Sequence, residues 1–194
     1  MGRLTAIVLG AAAGGGFPQW NCRCPICRLA WDGDPRVKPR TQASLTVSGD
    51  GEHWTLINAT PDLRAQIRAT SALQPRALRD SPITSVILTG AEVDQVAGLL
   101  DLRERQPFTL YATKRTHSAL RDNPIFNALA PDFVARHDIA FGEPIALAGG
   151  LEAELFAVPG KIPLYLEDMT DTLTAGEEEN CGVEVRAGGR RLVY

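Results

Sequence analysis

Three cysteines fall in the run Cys22-Arg-Cys24-Pro-Ile-Cys27, directly behind Gly10-Ala-Ala-Ala-Gly14-Gly-Gly16-Phe-Pro18-Gln-Trp20-Asn. Glycine, proline and cysteine are so concentrated here that the span 10–27 predicts neither regular helix nor strand. Something besides backbone pairing has to order it. Three soft thiolates at this spacing can converge on one cation without helix or strand geometry, and zinc, which favours tetrahedral sulfur-rich sites, suits them. Cys22, Cys24 and Cys27 are therefore the candidate metal ligands, with three free thiols as the plainer alternative. A closed site takes four ligands. Cys181, the one other cysteine, is placed either as the fourth ligand or as a buried thiol at a strand start.

The 194 residues fit one domain of ordinary globular composition, with 44% apolar and 22% charged residues. A formal net charge of −3 with scattered Lys and Arg lacks the basic footprint of a nucleic-acid binder. No run approaches the roughly 20 apolar residues of a membrane span, and Met1–Leu9 does not read as a signal peptide. The expected location is the cytoplasm, where closely spaced cysteines are metal ligands or free thiols rather than disulfides.

Apolar and β-branched runs predict strands at 4–9, 43–48, 54–58 and 83–88, a short strand at 109–112, and later strands at 151–158, 162–166, 181–187 and 190–194. Gly49-Asp50-Gly51-Glu52-His53 supplies hairpin chemistry between the second and third. Thr60-Pro61 predicts a helix start running to about Ala69, and helical patterns follow through Arg105 and over 114–122. Hairpins first and strand–helix alternation afterwards predict an α/β (α+β) sandwich, with residues 1–194 as a single domain.

Gly10-x-x-x-Gly14-x-Gly16 after a strand imitates a dinucleotide-binding loop. Phe17-Pro18 and the cysteines stand where its helix should begin, and no Gly-Lys-Ser/Thr follows, so a tight loop whose backbone approaches a site is the better reading. The histidines do not assemble a site: His53 falls in the hairpin turn, His117 on an exposed-looking helix, and His137 between Arg136 and Asp138.

The run Val8-Leu-Gly-Ala-Ala-Ala-Gly-Gly-Gly-Phe-Pro-Gln-Trp-Asn-Cys22, with Cys24-Pro-x-Cys27, resembles the N-terminus of the coenzyme PQQ synthesis protein B family. Pro39-Arg-Thr-Gln-Ala-Ser44, Asn58-Ala-Thr-Pro-Asp62-Leu-Arg-Ala-Gln-Ile67, Leu78-Arg-Asp-Ser-Pro82 and Val158-Pro-Gly-Lys161 extend the resemblance along essentially the whole chain. It implies a metallo-β-lactamase-like αββα sandwich in which the cysteines hold a structural zinc. It also implies a role in forming pyrroloquinoline quinone (PQQ) from a peptide-derived Glu–Tyr precursor, by metal-dependent hydroxylation with oxygen or by carrying PQQ or the precursor. PQQ or that precursor would be the ligand and other pathway proteins the partners, with room for a homodimer.

Two departures bear on chemistry. In that superfamily a strand ends in Thr and is followed by His-x-His-x-Asp-His and Gly-Leu, which hold catalytic metal. Laid on Leu88-Thr-Gly90-Ala-Glu92-Val-Asp94-Gln95-Val-Ala-Gly98-Leu99, the imidazoles become Gly90, Glu92 and Gln95, and Asp94 alone remains. Asp62, Glu92 and Asp94 are thus the candidate reaction-centre residues, and iron there would sit at a weak oxygen-donor site. Glu92 and Asp94 also suit a helix start simply as first-turn acids. Missing imidazoles favour a carrier over a hydroxylase. The second departure is length: Arg190-Arg-Leu-Val-Tyr194 stops inside an apparent strand, so the second half-sandwich is expected to be incomplete and the family's C-terminal part lacking.

Overall fold

Because Asp50 and Gly51 can make the tight turn that the chain needs, the first half is built on a hairpin. In the computed structural model, which describes residues 3–159 and 180–194, β1 (Thr5–Gly10), β2 (Ser44–Ser48) and β3 (Trp54–Ile57) pair antiparallel. Asp50 Oδ1 accepts the N–H groups of Glu52 at 2.8 Å and His53 at 2.9 Å, while Gly51 takes the positive φ of 79°. The His53 side chain, then the backbone N–H of His53, hold the Asp50 carboxyl well below the usual carboxylate range.

After β3 the chain switches to strand–helix–strand crossovers. Strands β4 (Ile83–Ile87), β5 (Phe108–Ala112) and β6 (Val134–Asp138) add in parallel, giving a six-stranded sheet in the order β1-β2-β3-β4-β5-β6. The crossovers carry α2 (Leu63–Ala69), α3 (Val93–Val96) with a 3-10 turn over Ala97–Leu102, and α4 (Lys114–Asp122) with another over Pro124–Ala128. Leu63, Leu73, Leu99, Leu120 and Phe126 from these segments pack on Leu56, Val86, Leu110 and Val134.

The opposite face of the sheet is covered by a four-stranded antiparallel one. It is formed by β7 (Pro144–Leu147), β8 (Leu151–Ala157), β9 (Cys181–Ala187) and β10 (Arg190–Val193), in the order β10-β9-β8-β7. Period-two alternation sends Leu151, Ala153, Leu155, Val183 and Val185 inward against Leu45, Val47, Ile57 and Ile87. It sends Glu152, Glu154, Glu184 and Arg186 outward, where Arg186 pairs with all three carboxylates. The expected sandwich is therefore present, as a helix layer and two sheets among the described residues.

Several expectations need correction. The span 10–27 does hold regular structure, since α1 (Pro25–Trp31) begins within it; Pro at the first helical position has the right φ and loses no hydrogen bond there. The helix expected from Thr60 starts at Leu63, with Thr60 Oγ1 instead accepting the Asp62 N–H at 3.2 Å. The helical pattern up to Arg105 is one α turn followed by 3-10. β6 and β7 were not expected. His117 is fully buried rather than exposed. The strand expected at 162–166 lies outside the described residues.

Candidate functional site

At the C-terminal ends of β3 and β4 two loops are tied together through buried polar groups. Asn58, at a left-handed φ of 62°, accepts the Thr89 N–H on Oδ1 at 2.9 Å and donates from Nδ2 to Thr89 Oγ1 at 2.9 Å. Ala59 N–H donates to the Gln95 carbonyl at 2.8 Å and Gly98 N–H to the Ala59 carbonyl at 2.8 Å. Gly98 has to be glycine because a Cβ would run into the Thr60 carbonyl oxygen.

The three carboxylates expected at the centre sit on or beside these loops and are differently employed. Asp62 Oδ2 accepts the backbone N–H of Gln42 at 2.9 Å. Glu92 is the N-cap of α3, and Gln95 Oε1 accepts its N–H at 3.1 Å as part of a capping box. Gln95, standing where an imidazole was sought, is thus committed to capping the start of α3. Asp94 lies against the glycine loop, so close that a Cβ on Gly14 would stand 3.2 Å from its Oδ2.

Among the described residues the one group of three or more metal-ligating side chains is Cys22, Cys24 and Cys27. Asp62, Glu92 and Asp94 make no such group, and the donor set does not fit the firm iron site of an oxygen-activating centre. No second metal site is supported among the described residues.

The strap from Pro39 to Gln42 and the glycine loop enclose a cleft. Phe17 and Arg40 exchange backbone hydrogen bonds at 2.9 and 2.8 Å. The buried Gln66 amide donates to the Gln42 carbonyl at 2.9 Å and to Thr41 Oγ1 at 3.1 Å, holding the strap to α2. The resulting cavity of about 350 Å³ is lined by Gly15, Phe17, Pro18, Arg40, Gln42 and Asp62, among others.

Tyr194 was missed in the sequence. Burial, first, pushes its phenol up; the Asn58 side chain hydrogen-bonds it, and the Asp94 charge acts in the same direction as burial. No local signal marks a tyrosine so far along the chain; the pairing of β10 with β9 brings it there.

The thiols of Cys22, Cys24 and Cys27 all lie within 4.8 Å of one another. Zinc–sulfur bonds near 2.3 Å at tetrahedral angles set sulfurs about 3.8 Å apart, so the set fits the ion with small shifts. Cys24 is the N-cap of α1 and Cys27 lies in its first turn. The Cys27 backbone N–H, then the Cys22 side chain, hold the Cys24 thiol down to about 7. Trp31 Nε1 donates to the Cys22 carbonyl at 2.9 Å and closes the loop onto the helix. Cys181 is not part of the cluster. It is buried in β9, its sulfur 3.5 Å from the Thr89 carbonyl oxygen, and burial pushes the thiol up to about 12.

A profile for the Beta-lactamase superfamily domain matches residues 53–194. A coenzyme PQQ synthesis protein B from Methylobacterium sp. (strain 4-46) is 56% identical over 192 residues, covering 98% of this chain and 64% of the relative. One from Rhizobium meliloti (strain 1021) is 51% identical over 191 residues. Among solved structures, zinc-bound PqqB from Methylobacterium extorquens superposes with a TM-score of 0.94 at 53% identity, covering 99% of this chain and 64% of that one. A diphosphatase of the PhnP family superposes with a TM-score of 0.64 at 25% identity over 80% of this chain and 58% of that one. The chain spans just under two thirds of the length of these PQQ synthesis relatives.

Proposed function

Since the chain belongs to the beta-lactamase superfamily and, within it, to the coenzyme PQQ synthesis protein B family, we propose that it serves PQQ biosynthesis by binding PQQ or its Glu–Tyr-derived precursor. Binding takes place beside Asp62 and Asp94, in the cytoplasm, alongside the other proteins of the pathway. No helix of the described chain is long and apolar enough to cross a membrane.

One observation carries the choice of binding over oxygen chemistry. The loop after β4 presents a carboxylate at Asp94, whereas the amide of Gln95 is engaged in the α3 capping box and no histidine joins them. Oxygen activation at iron calls for imidazole and carboxylate on one face with open positions, which these side chains do not provide.

Cys22, Cys24 and Cys27 would hold zinc on a separate segment, and the ion would cross-link the loop that carries the glycine wall of the cleft. The zinc in the similar Methylobacterium extorquens protein supports that assignment. Zinc has no redox chemistry and thiolate-rich ligand sets are those of structural sites, so its part is to order the loop.

The test is anaerobic reconstitution with ferrous iron, exposure to oxygen with the precursor, and mass spectrometry for added oxygen, with calorimetric titration of precursor and PQQ in parallel. Saturable binding without oxygen incorporation, weakened in Asp94→Ala, is the expected result. Catalytic incorporation that disappears in Asp94→Ala would overturn the binding reading and make the protein an oxygenase.

A further inference from the structure

The cleft between the glycine loop and the Pro39–Gln42 strap carries two opposite charges that do not neutralise each other. Asp62 and Arg40 both line it, yet among the described residues neither belongs to an ion pair. Asp62 spends Oδ2 on the Gln42 N–H at 2.9 Å, which leaves Oδ1 open. The exposed Arg40 guanidinium reaches no carboxylate among the described residues and donates to the Pro39 carbonyl at 3.5 Å. Beside them Gln42 fixes the glycine wall, its Nε2 donating to the Gly14 carbonyl. Phe17, Pro18 and Pro39 supply apolar walls, and the volume of about 350 Å³ falls at the small end of the roughly 300–1,000 Å³ typical of small-molecule sites.

We propose that this cleft takes the amino-acid end of a zwitterionic ligand, with Arg40 receiving its carboxylate and Asp62 receiving its ammonium. A simple anion would be repelled by Asp62 and a simple amine by Arg40, so the pair selects a dipolar molecule over either. The planar guanidinium matches a carboxylate in two-point fashion. The choice of a peptide-derived amino acid as the ligand rests on the pathway reading above. The cleft therefore selects the precursor, with its free α-amino group, over a ligand that lacks one.

Calorimetric or NMR titration of the chain with L-tyrosine and with N-acetyl-L-tyrosine tests this, using wild type, Asp62→Asn and Arg40→Gln. Asn at 62 keeps an acceptor for the Gln42 N–H while losing the charge, so the fold is preserved and thermal melts verify it. Acetylation and Asp62→Asn should each weaken binding about tenfold or more, and the acetylated ligand should be indifferent to Asp62→Asn. Arg40→Gln should weaken both ligands. Equal affinity for the two ligands in wild type would overturn the assignment. Saturable tyrosine binding that ignores both variants would overturn the cleft while leaving the pathway reading intact. If neither tyrosine nor PQQ binds, both fall.

Discussion

His117 Nδ1 lies 2.6 Å from Asp138 Oδ1 and joins the buried face of α4 to β6, the last parallel strand of the first sheet. The carboxylate partner places the proton on Nδ1, which leaves Nε2 as a lone pair, buried and without a partner among the described residues. Protonation would add a second N–H with nothing to accept it.

A pH dependence follows. Burial, first, lowers the His117 pKa from its ordinary value; Asp138 pulls it upward, and the Arg136 and Arg121 charges push it down. The unfolded chain takes up a proton near pH 6.5 whereas the folded chain resists it, so the contribution is complete above that pH and is lost as pH falls toward the depressed folded value. Urea midpoints should decline from about pH 7 to about pH 5 in wild type and decline less in His117→Gln. Identical pH slopes would remove His117 as the cause.

The cysteine cluster predicts about one zinc per chain. Elemental analysis should show the zinc lost from Cys24→Ser and retained in Cys181→Ser, because Cys181 is hydrogen-bonded to the loop after β4 instead. Zinc loss from Cys181→Ser with retention in Cys24→Ser would reverse the assignment.

Gly98→Ala should destabilise the protein by about 1–3 kcal/mol through overpacking, since the added Cβ meets the Thr60 carbonyl and the Ala59 backbone. Gly51→Ala is a useful comparison. Its site is open, with nothing within 4 Å of a Cβ, so only the left-handed backbone opposes it, at about 1–2 kcal/mol. Chemical denaturation of the two variants should rank Gly98→Ala as at least equally harmful; a neutral Gly98→Ala would deny the close approach of the two loops.

Much of the sandwich was legible because apolar β-branched runs and Asp50-Gly51 are strong local signals. β6 was missed because Val-Ala-Arg-His-Asp is an edge strand with one apolar anchor, Val134. His117 was misread because Lys114, Arg115, Arg121 and Asp122 make α4 look solvated, although Thr116, His117 and Leu120 share its inner face. The cysteine cluster was legible because its ligands are neighbours in sequence. The cleft was not: Asp62 was singled out, but Arg40 and Gln42 become its neighbours through strap contacts to Gly14, Phe17 and Gln66 that no periodicity encodes.

The last prediction concerns Asn58, which meets two demands at one position. Its backbone is left-handed, with φ 62°, a conformation that costs an ordinary L-residue about 1–2 kcal/mol and asparagine less. Its side chain accepts the buried Thr89 N–H and donates to the Thr89 hydroxyl oxygen, each at 2.9 Å, and leaving that N–H unmet costs about 1–3 kcal/mol. Asn58→Ala loses on both counts and should destabilise by about 2–4 kcal/mol. Asn58→Gly relieves the backbone but leaves Thr89 unmet, so it should lie roughly 1 kcal/mol above the alanine variant. Denaturant unfolding of the two variants beside wild type separates the contributions. Equal stability of Gly and Ala would show that the backbone is unstrained, and wild-type stability in both would show that the Asn58–Thr89 bonds do not hold the two loops together.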